Sequence, residues 1–223
     1  MSAAWQRGLY VITDPELTPG PVLTERVSAA IAGGAVLVQY RDKHADPAER
    51  RERARAVLAC CRASGVPLLV NDDLDLASGI GADGVHLGRD DADPADARLR
   101  LGPRALIGVS CYNLLARAEA AAAAGADYVA FGRFFPSRTK PHAVRADAGV
   151  LRQARCRLGV PVAAIGGIDD SNGTALIAAG ADLLAVIHGV FGRPDVTAAA
   201  RSIAALFISA AALEVQVSNR NQE

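Results

Sequence analysis

The stretch Gly125-Ala126-Asp127-Tyr128-Val129-Ala130-Phe131-Gly132 decides the fold. A glycine after an Ala-rich run ends a helix, because it accepts the left-handed conformation of a helix C-terminus at little cost. Two small or polar residues then lead into a short, continuous apolar run. Such a run, without polar alternation, marks a strand buried on both faces, as in a parallel sheet. The same punctuation recurs at Gly33-Gly34-Ala35, Gly81-Ala82-Asp83 and Gly180-Ala181-Asp182, each between a helical run and the next apolar run.

Working outward, the chain holds eight β-rich runs, at 8–13, 36–41, 67–71, 84–87, 106–110, 128–132, 160–165 and 183–188. Helical runs separate them, at 21–32, 47–64, 73–79, 94–101, 113–124, 146–158, 171–179 and 194–212. Proline near the start and glycine past the end frame several of them. Eight β/α units in 223 residues predict a single closed (β/α)₈ TIM barrel over 1–214, in preference to an open doubly wound sheet. The polar, non-periodic residues 215–223 read as a disordered tail.

Half of the residues are hydrophobic, enough for a substantial core, and Lys plus Arg balances Asp plus Glu at 24 each. A net charge of zero gives no electrostatic reason to expect nucleic acid or an anionic membrane surface as a partner. No charge-free stretch of about 18 apolar residues suggests a membrane span. Met1 to Arg7 lacks the pattern of an export signal. Cys60, Cys61, Cys111 and Cys156 form no C-x-x-C pair and read as reduced, buried thiols of a cytoplasmic protein.

In a barrel the chemistry stands at the C-terminal ends of the strands. After the second run, Gln39 and Arg41 share a face and Lys43 lies just beyond, so cations gather there, unless they form a solvated loop with Asp42. After the third come Asn71-Asp72-Asp73, as carboxylates for Mg²⁺ or as a helix cap. After the fourth comes Asp91; two carboxylates on neighbouring strand ends can share a metal. His86 lies inside that strand and reads as structural. Ser110 either meets a ligand or caps a helix. The long loop 132–140, with hydroxyls and three basic residues, suits an anion. Gly166-Gly167 and Ile187-His188-Gly189 occupy the usual phosphate cradle of barrels.

Five stretches in order resemble the thiamine phosphate synthase family: Gln39-Tyr40-Arg41-Asp42-Lys43, Val70-Asn71-Asp72, Ala82-Asp83-Gly84-Val85-His86-Leu87-Gly88, Pro136-Ser137-Arg138-Thr139-Lys140 and Ala164-Ile165-Gly166-Gly167-Ile168. The resemblance covers 8–193 and implies a cytoplasmic, Mg²⁺-dependent transferase of thiamine biosynthesis. Its substrates are small phosphate and diphosphate esters. A hydroxymethylpyrimidine diphosphate is joined to a thiazole phosphate, with release of pyrophosphate. By resemblance, Gln39, Tyr40, Arg41, Asp42, Lys43, Asn71, Ser110 and Lys140 contact the pyrimidine diphosphate, with Arg41, Lys43 and Lys140 as the catalytic cations. Asp72 and Asp91 hold the magnesium, and Ser137, Arg138, Thr139, Gly167, Ile187 and His188 hold the thiazole phosphate.

The chain departs from the family pattern at several positions. The family commonly has Arg at Asp73, Gln at Arg89, His at Tyr112, Thr at Ser137 and Ser at His188. Asp73 adds a negative charge near the diphosphate, which Arg89 is placed to offset. Two other functions fit the fold: a thiazole tautomerase-like isomerase, and a non-catalytic ligand-binding barrel. The intact set of Arg41, Lys43, Asp72, Asp91 and Lys140 favours the synthase.

Overall fold

A computed structural model describes residues 4–136 and 144–220. Eight parallel strands close on themselves in sequence order, β1 (Gly8–Ile12), β2 (Ala35–Tyr40), β3 (Leu68–Asn71), β4 (Gly84–Leu87), β5 (Leu106–Tyr112), β6 (Tyr128–Gly132), β7 (Val162–Ile165) and β8 (Leu183–Val186). β1 pairs with β8 through Gly8↔Leu183 to Val11↔Val186, which closes the barrel and excludes the open sheet. The (β/α)₈ barrel expected from the sequence is therefore the fold.

The helices α1 (Leu23–Ala32), α2 (Pro47–Ala63), α3 (Leu74–Ile80), α4 (Pro94–Leu101), α5 (Leu115–Ala123), α6 (Gly149–Arg157) and α7 (Gly173–Ala178) follow the first seven strands. Two features depart from the expected elements. The eighth strand stops at Val186, and the chain turns at once into a short helix, α8 (His188–Phe191). Hydrophobic continuity through Ile187 hid this turn. The last helix, α9 (Val196–Arg220), runs on through residues expected as a tail from 215. The good helix formers of 210–214 carry no Gly or Pro to stop it.

The core has two layers. The larger lies between strands and helices and includes Leu9, Val38, Val57, Leu68, Phe131 and Ile203. The smaller fills the barrel itself with Tyr10, Ile12, Leu37, Leu69, Tyr128, Ala130, Ala163, Leu183 and Ala185. Large and small inward residues interleave. A Cβ on Gly108 would lie 2.0 Å from Tyr128 Cζ. That glycine thus leaves the space the Tyr128 ring occupies, and closely packed interiors tolerate no such overlap. At the opposite end Asp83, Asp127 and Asp182 receive the backbone N–H groups of Leu68, Ile107 and Val162 at 2.7–3.0 Å. These are the aspartates of the Gly-Ala-Asp turns, so those turns lock the strand starts, away from the mouth.

Candidate active site

The C-terminal ends of the strands surround a cavity of ≈ 640 Å³, within the size range of small-molecule sites. Gln39 and Arg41 both face it, as the two-residue alternation requires, and Lys43 reaches it from the loop beyond. Thr13 at the end of β1 fixes the Arg41 backbone: its hydroxyl accepts from Arg41 N at 2.8 Å and donates to Arg41 O at 3.2 Å. The Arg41 guanidinium stands 3.8 Å from Asp14 Oδ2.

Tyr40 and Asp42 point the other way. Tyr40 is buried in the layer between barrel and helices. Asp42 accepts from the backbone of His44 and Ala45 at 3.0 and 3.1 Å and from Arg53 of α2 at 2.9 Å. Burial pushes its carboxyl up, but those hydrogen bonds and the Arg53 charge outweigh burial and hold it below the ordinary carboxylate range. Asp42 thus shapes the loop that presents Arg41 and Lys43, and its side chain and that of Tyr40 do not line the mouth.

At the ends of β3 and β4, Asn71, Asp72 and Asp91 meet. Asp72 takes a left-handed backbone conformation (φ 63°), unfavourable for a residue with a Cβ, and this turns its carboxylate toward the mouth. Lys43 Nζ lies 2.8 Å from Asp72 Oδ2. Asp91 accepts from Gly88 N at 2.5 Å. A methyl group built on Gly88 would stand 2.8 Å from Asp91 Oδ2 and 4.0 Å from Asp72 Oδ1, so both carboxylates converge on this glycine. Burial raises the Asp91 carboxyl, and its hydrogen bond to Asp72 raises it further. Burial also pushes Asp72 up, but hydrogen bonds from Lys43 and Asp91 prevail and leave it below the ordinary range. A divalent cation placed here would favour the ionised form of both carboxyls and so replace the contact between them. Among the described residues no group of three or more His, Cys, Asp or Glu side chains could enclose a metal by itself. A pair of carboxylates open to a ligand suits Mg²⁺, which takes one or two carboxylates together with substrate phosphate and water.

Asp73, the neighbouring carboxylate, caps α3 by accepting from Leu76 N at 2.8 Å and pairs with Arg50 at 2.9 Å. The helix-cap role raised by the sequence thus falls to Asp73, which leaves Asp72 to the mouth. The cation paired with Asp73 is Arg50, where the sequence pointed to Arg89.

Across the barrel interior runs a line of hydrogen bonds absent from the sequence reading. Gln39 Nε2 donates to the Tyr10 hydroxyl. Tyr10 and Tyr128 hydroxyls lie 2.9 Å apart, Tyr128 Oη is 2.7 Å from His86 Nδ1, and His86 Nε2 is 2.8 Å from Ser110 Oγ. Because the Gln39 amide nitrogen only donates, the Tyr10 hydrogen goes to Tyr128 and that of Tyr128 to His86 Nδ1. With Nδ1 accepting, His86 Nε2 is the ring's donor to Ser110 Oγ. Burial raises both phenols far above their ordinary range, which keeps them protonated. His86, read from the sequence as structural, joins this line, holds Ser110 and also reaches the mouth. Ser110 caps no helix; β5 continues past it to Tyr112.

Opposite the carboxylates lie Gly166, Gly167, Ile187, His188 and Gly189. Gly167 (φ 66°) passes so close to the β6 loop that a Cβ would sit 2.3 Å from Pro136 O. A Cβ on Gly189 would lie 2.3 Å from Ile168 O. These glycines thus let backbone segments pack closely against one another at this wall, which Ile187 and His188 also line. Ser137, Arg138, Thr139 and Lys140 lie outside the described residues. Cys61 and Cys111 are buried and burial pushes each thiol up to about 12, whereas Cys156 is exposed and Cys60 half-buried, against the expectation of four buried thiols.

Residues 9–190 match the family model for thiamine monophosphate synthase. The chain belongs to the thiamine monophosphate synthase family. It is 54% identical over 201 residues to a thiamine-phosphate synthase of Azoarcus sp. (strain BH72), covering 90% of this chain and 97% of that protein. A thiamine-phosphate synthase of Thiobacillus denitrificans is 53% identical over 200 residues, with 90% and 94% covered. Among solved structures, a thiamine phosphate pyrophosphorylase from Pyrococcus furiosus superposes with a TM-score of 0.84 at 33% identity, over 93% of this chain and 98% of that one. Membership makes the chain a transferase of thiamine biosynthesis, in line with the resemblance read from its motifs. Among the described residues no helix is long and apolar enough to cross a membrane.

Proposed function

We propose that the barrel mouth joins a hydroxymethylpyrimidine diphosphate to a thiazole phosphate and releases pyrophosphate. One observation carries this reading. A single cavity has a carboxylate pair with Arg41 and Lys43 on one side and a glycine-rich wall with His188 on the other. Two anionic substrates thus have separate places within reach of each other.

Asp72 and Asp91 would hold Mg²⁺, which when bound neutralises diphosphate oxygens. Arg41 and Lys43 bind the diphosphate, and Lys43 leaves Asp72 for the leaving group as charge grows there. Lys140 joins them from the loop after β6. Gln39 and Ser110, held by Tyr10, Tyr128 and His86, offer hydrogen bonds to the pyrimidine substrate, and Asn71 steadies Asp72 beside it. Ser137, Arg138, Thr139, Gly167, Ile187 and His188 receive the thiazole phosphate. His188 opens α8, where a neutral imidazole donates one hydrogen bond and a charged one adds attraction.

The bond from the pyrimidine methylene to the diphosphate breaks first, and the carbon develops cationic character. The thiazole nitrogen then attacks that carbon. No protein nucleophile is needed, consistent with thiols that burial keeps protonated.

The test is turnover with both substrates and Mg²⁺, read as thiamine phosphate and pyrophosphate formed in equal amounts. Failure of the pure protein to form either product refutes the reading. A covalent pyrimidine–protein adduct trapped during turnover refutes the order of steps.

A further inference from the structure

Arg89 and Tyr112 each line the mouth, and they touch one another: the guanidinium carbon stands 4.5 Å from the centre of the Tyr112 ring. Two backbone irregularities put the ring there. The β5–β6 register shifts between Ser110 and Tyr112, so Cys111 is the extra residue of a bulge. Tyr112 itself has φ 57°, the left-handed region that a side chain with a Cβ rarely adopts. Irregularities of this kind re-aim side chains beside functional sites.

Arg41 and Arg193, which line the same mouth as Arg89, each stand 3.8 Å from a carboxylate, of Asp14 and Asp169 respectively. Arg50 and Arg53 are paired with Asp73 and Asp42, and Arg117 donates to the Ser110 and Gly88 carbonyls, each at 2.9 Å. Among the described residues no carboxylate lies within 4.0 Å of the Arg89 guanidinium. The aromatic face holds the plane of the group while leaving its N–H fork for a ligand. Its place is also defined by topology. Lys43 comes to Asp72 from the β2 side, whereas Arg89 and Tyr112 belong to the β4 loop and β5, on the other flank of the carboxylate pair.

We propose that Arg89 is a binding residue for the terminal phosphoryl group of the diphosphate, and that Tyr112 is its positioning residue. The inference rests on the function proposed above. Planar guanidinium groups take two phosphate oxygens at once, which a single ammonium group does not. With Arg89 on one flank and Lys43 on the other, the leaving pyrophosphate is gripped from both sides.

The test uses the full chain, with inorganic pyrophosphate plus Mg²⁺ as the probe, followed by calorimetry and by product inhibition. Arg89→Gln should weaken pyrophosphate binding about tenfold, the lower range for a lost hydrogen bond to a charged group. The KM for thiazole phosphate should move less than about twofold, since that substrate lies across the cavity. Tyr112→Leu should weaken pyrophosphate binding about two- to fivefold, the worth of an exposed cation–π contact. Tyr112→Phe, which keeps the ring, should recover most of that loss. Arg89→Gln binding pyrophosphate as the unaltered protein does overturns the proposal. So does a rise confined to the thiazole phosphate KM. Equal losses in Tyr112→Phe and Tyr112→Leu overturn the positioning role. An unaltered protein that binds pyrophosphate through Arg89 yet joins no substrates refutes the proposed function and leaves the Arg89 site standing.

Discussion

Tyr128→Phe tests the hydrogen-bonded line through the barrel. The substitution keeps the ring and its edge contact with Tyr10, whose centroid lies 5.8 Å away at 89°, so packing is preserved. Only the hydroxyl goes. Tyr10 then loses the acceptor 2.9 Å away, and His86 Nδ1 loses its partner at 2.7 Å. Tyr10 is 1% exposed, so no water replaces what is lost. Each buried group left unsatisfied costs about 1–3 kcal/mol, so a total near 3 kcal/mol is expected. For a chain of this size that lowers the midpoint of thermal unfolding by roughly 6–12 °C. Tyr10→Phe should cost less, because Tyr128 keeps His86 as acceptor and only the Gln39 amide is stranded. The double variant should be more stable than the sum of the singles by at least about 0.5 kcal/mol, since the stranded Tyr10 hydroxyl is gone. Catalysis should fall too. His86, released from Tyr128, can carry its proton on either nitrogen, and Ser110 loses its fixed orientation. Urea unfolding of the four proteins measures the cycle. A Tyr128→Phe protein within about 0.5 kcal/mol of the unaltered one, or strict additivity, refutes the proton order derived above.

Asp72→Asn and Asp91→Asn should each lower turnover at limiting Mg²⁺ by more than the roughly 10- to 100-fold typical of partners outside a metal's own ligand set, with melting points little changed. Rates equal to those of the unaltered protein would exclude the pair as metal ligands. The depressed Asp42 carboxyl contributes stability that is present above the ordinary aspartate pKa of about 3.9 and is lost as pH falls through its folded value. Asp42→Asn should therefore cost about 1–3 kcal/mol near neutrality and progressively less below about pH 4, read by urea unfolding across pH; a difference independent of pH would contradict the Arg53 pairing. Gly108→Ala should destabilise the barrel by at least about 3 kcal/mol or prevent folding, because its methyl would fall 2.0 Å from Tyr128 Cζ. The pairing with Tyr128→Ala should recover part of the loss, and no recovery would show that the strain lies elsewhere.

The order of strands and helices was legible because it depends on local chemistry. Apolar runs of strand length, the glycine stops and the Gly-Ala-Asp turns each act within a few residues, and they sufficed for an eight-unit barrel with its mouth at known strand ends. The facing of Gln39 and Arg41 followed from the two-residue period of a strand. Family motifs then pointed to Asp72 and Asp91, whose convergence on Gly88 joins the ends of two strands. Where segments meet, the sequence was silent. Tyr10, Gln39, Tyr128, His86 and Ser110 come from five strands, and no spacing along the chain encodes their contact. Even the space that Gly108 leaves for the Tyr128 ring joins two separate strands. Which of Asp72 and Asp73 turns to the mouth depended on Arg50 from another helix taking Asp73. The stacking of Arg89 on Tyr112 required a bulge and a left-handed residue, neither of which a tyrosine announces. Local propensity and periodicity thus determined the elements and their order, while closure of the barrel decided the site, because hydrogen bonds, charge pairs and buried contacts depend on distances that only the folded chain creates.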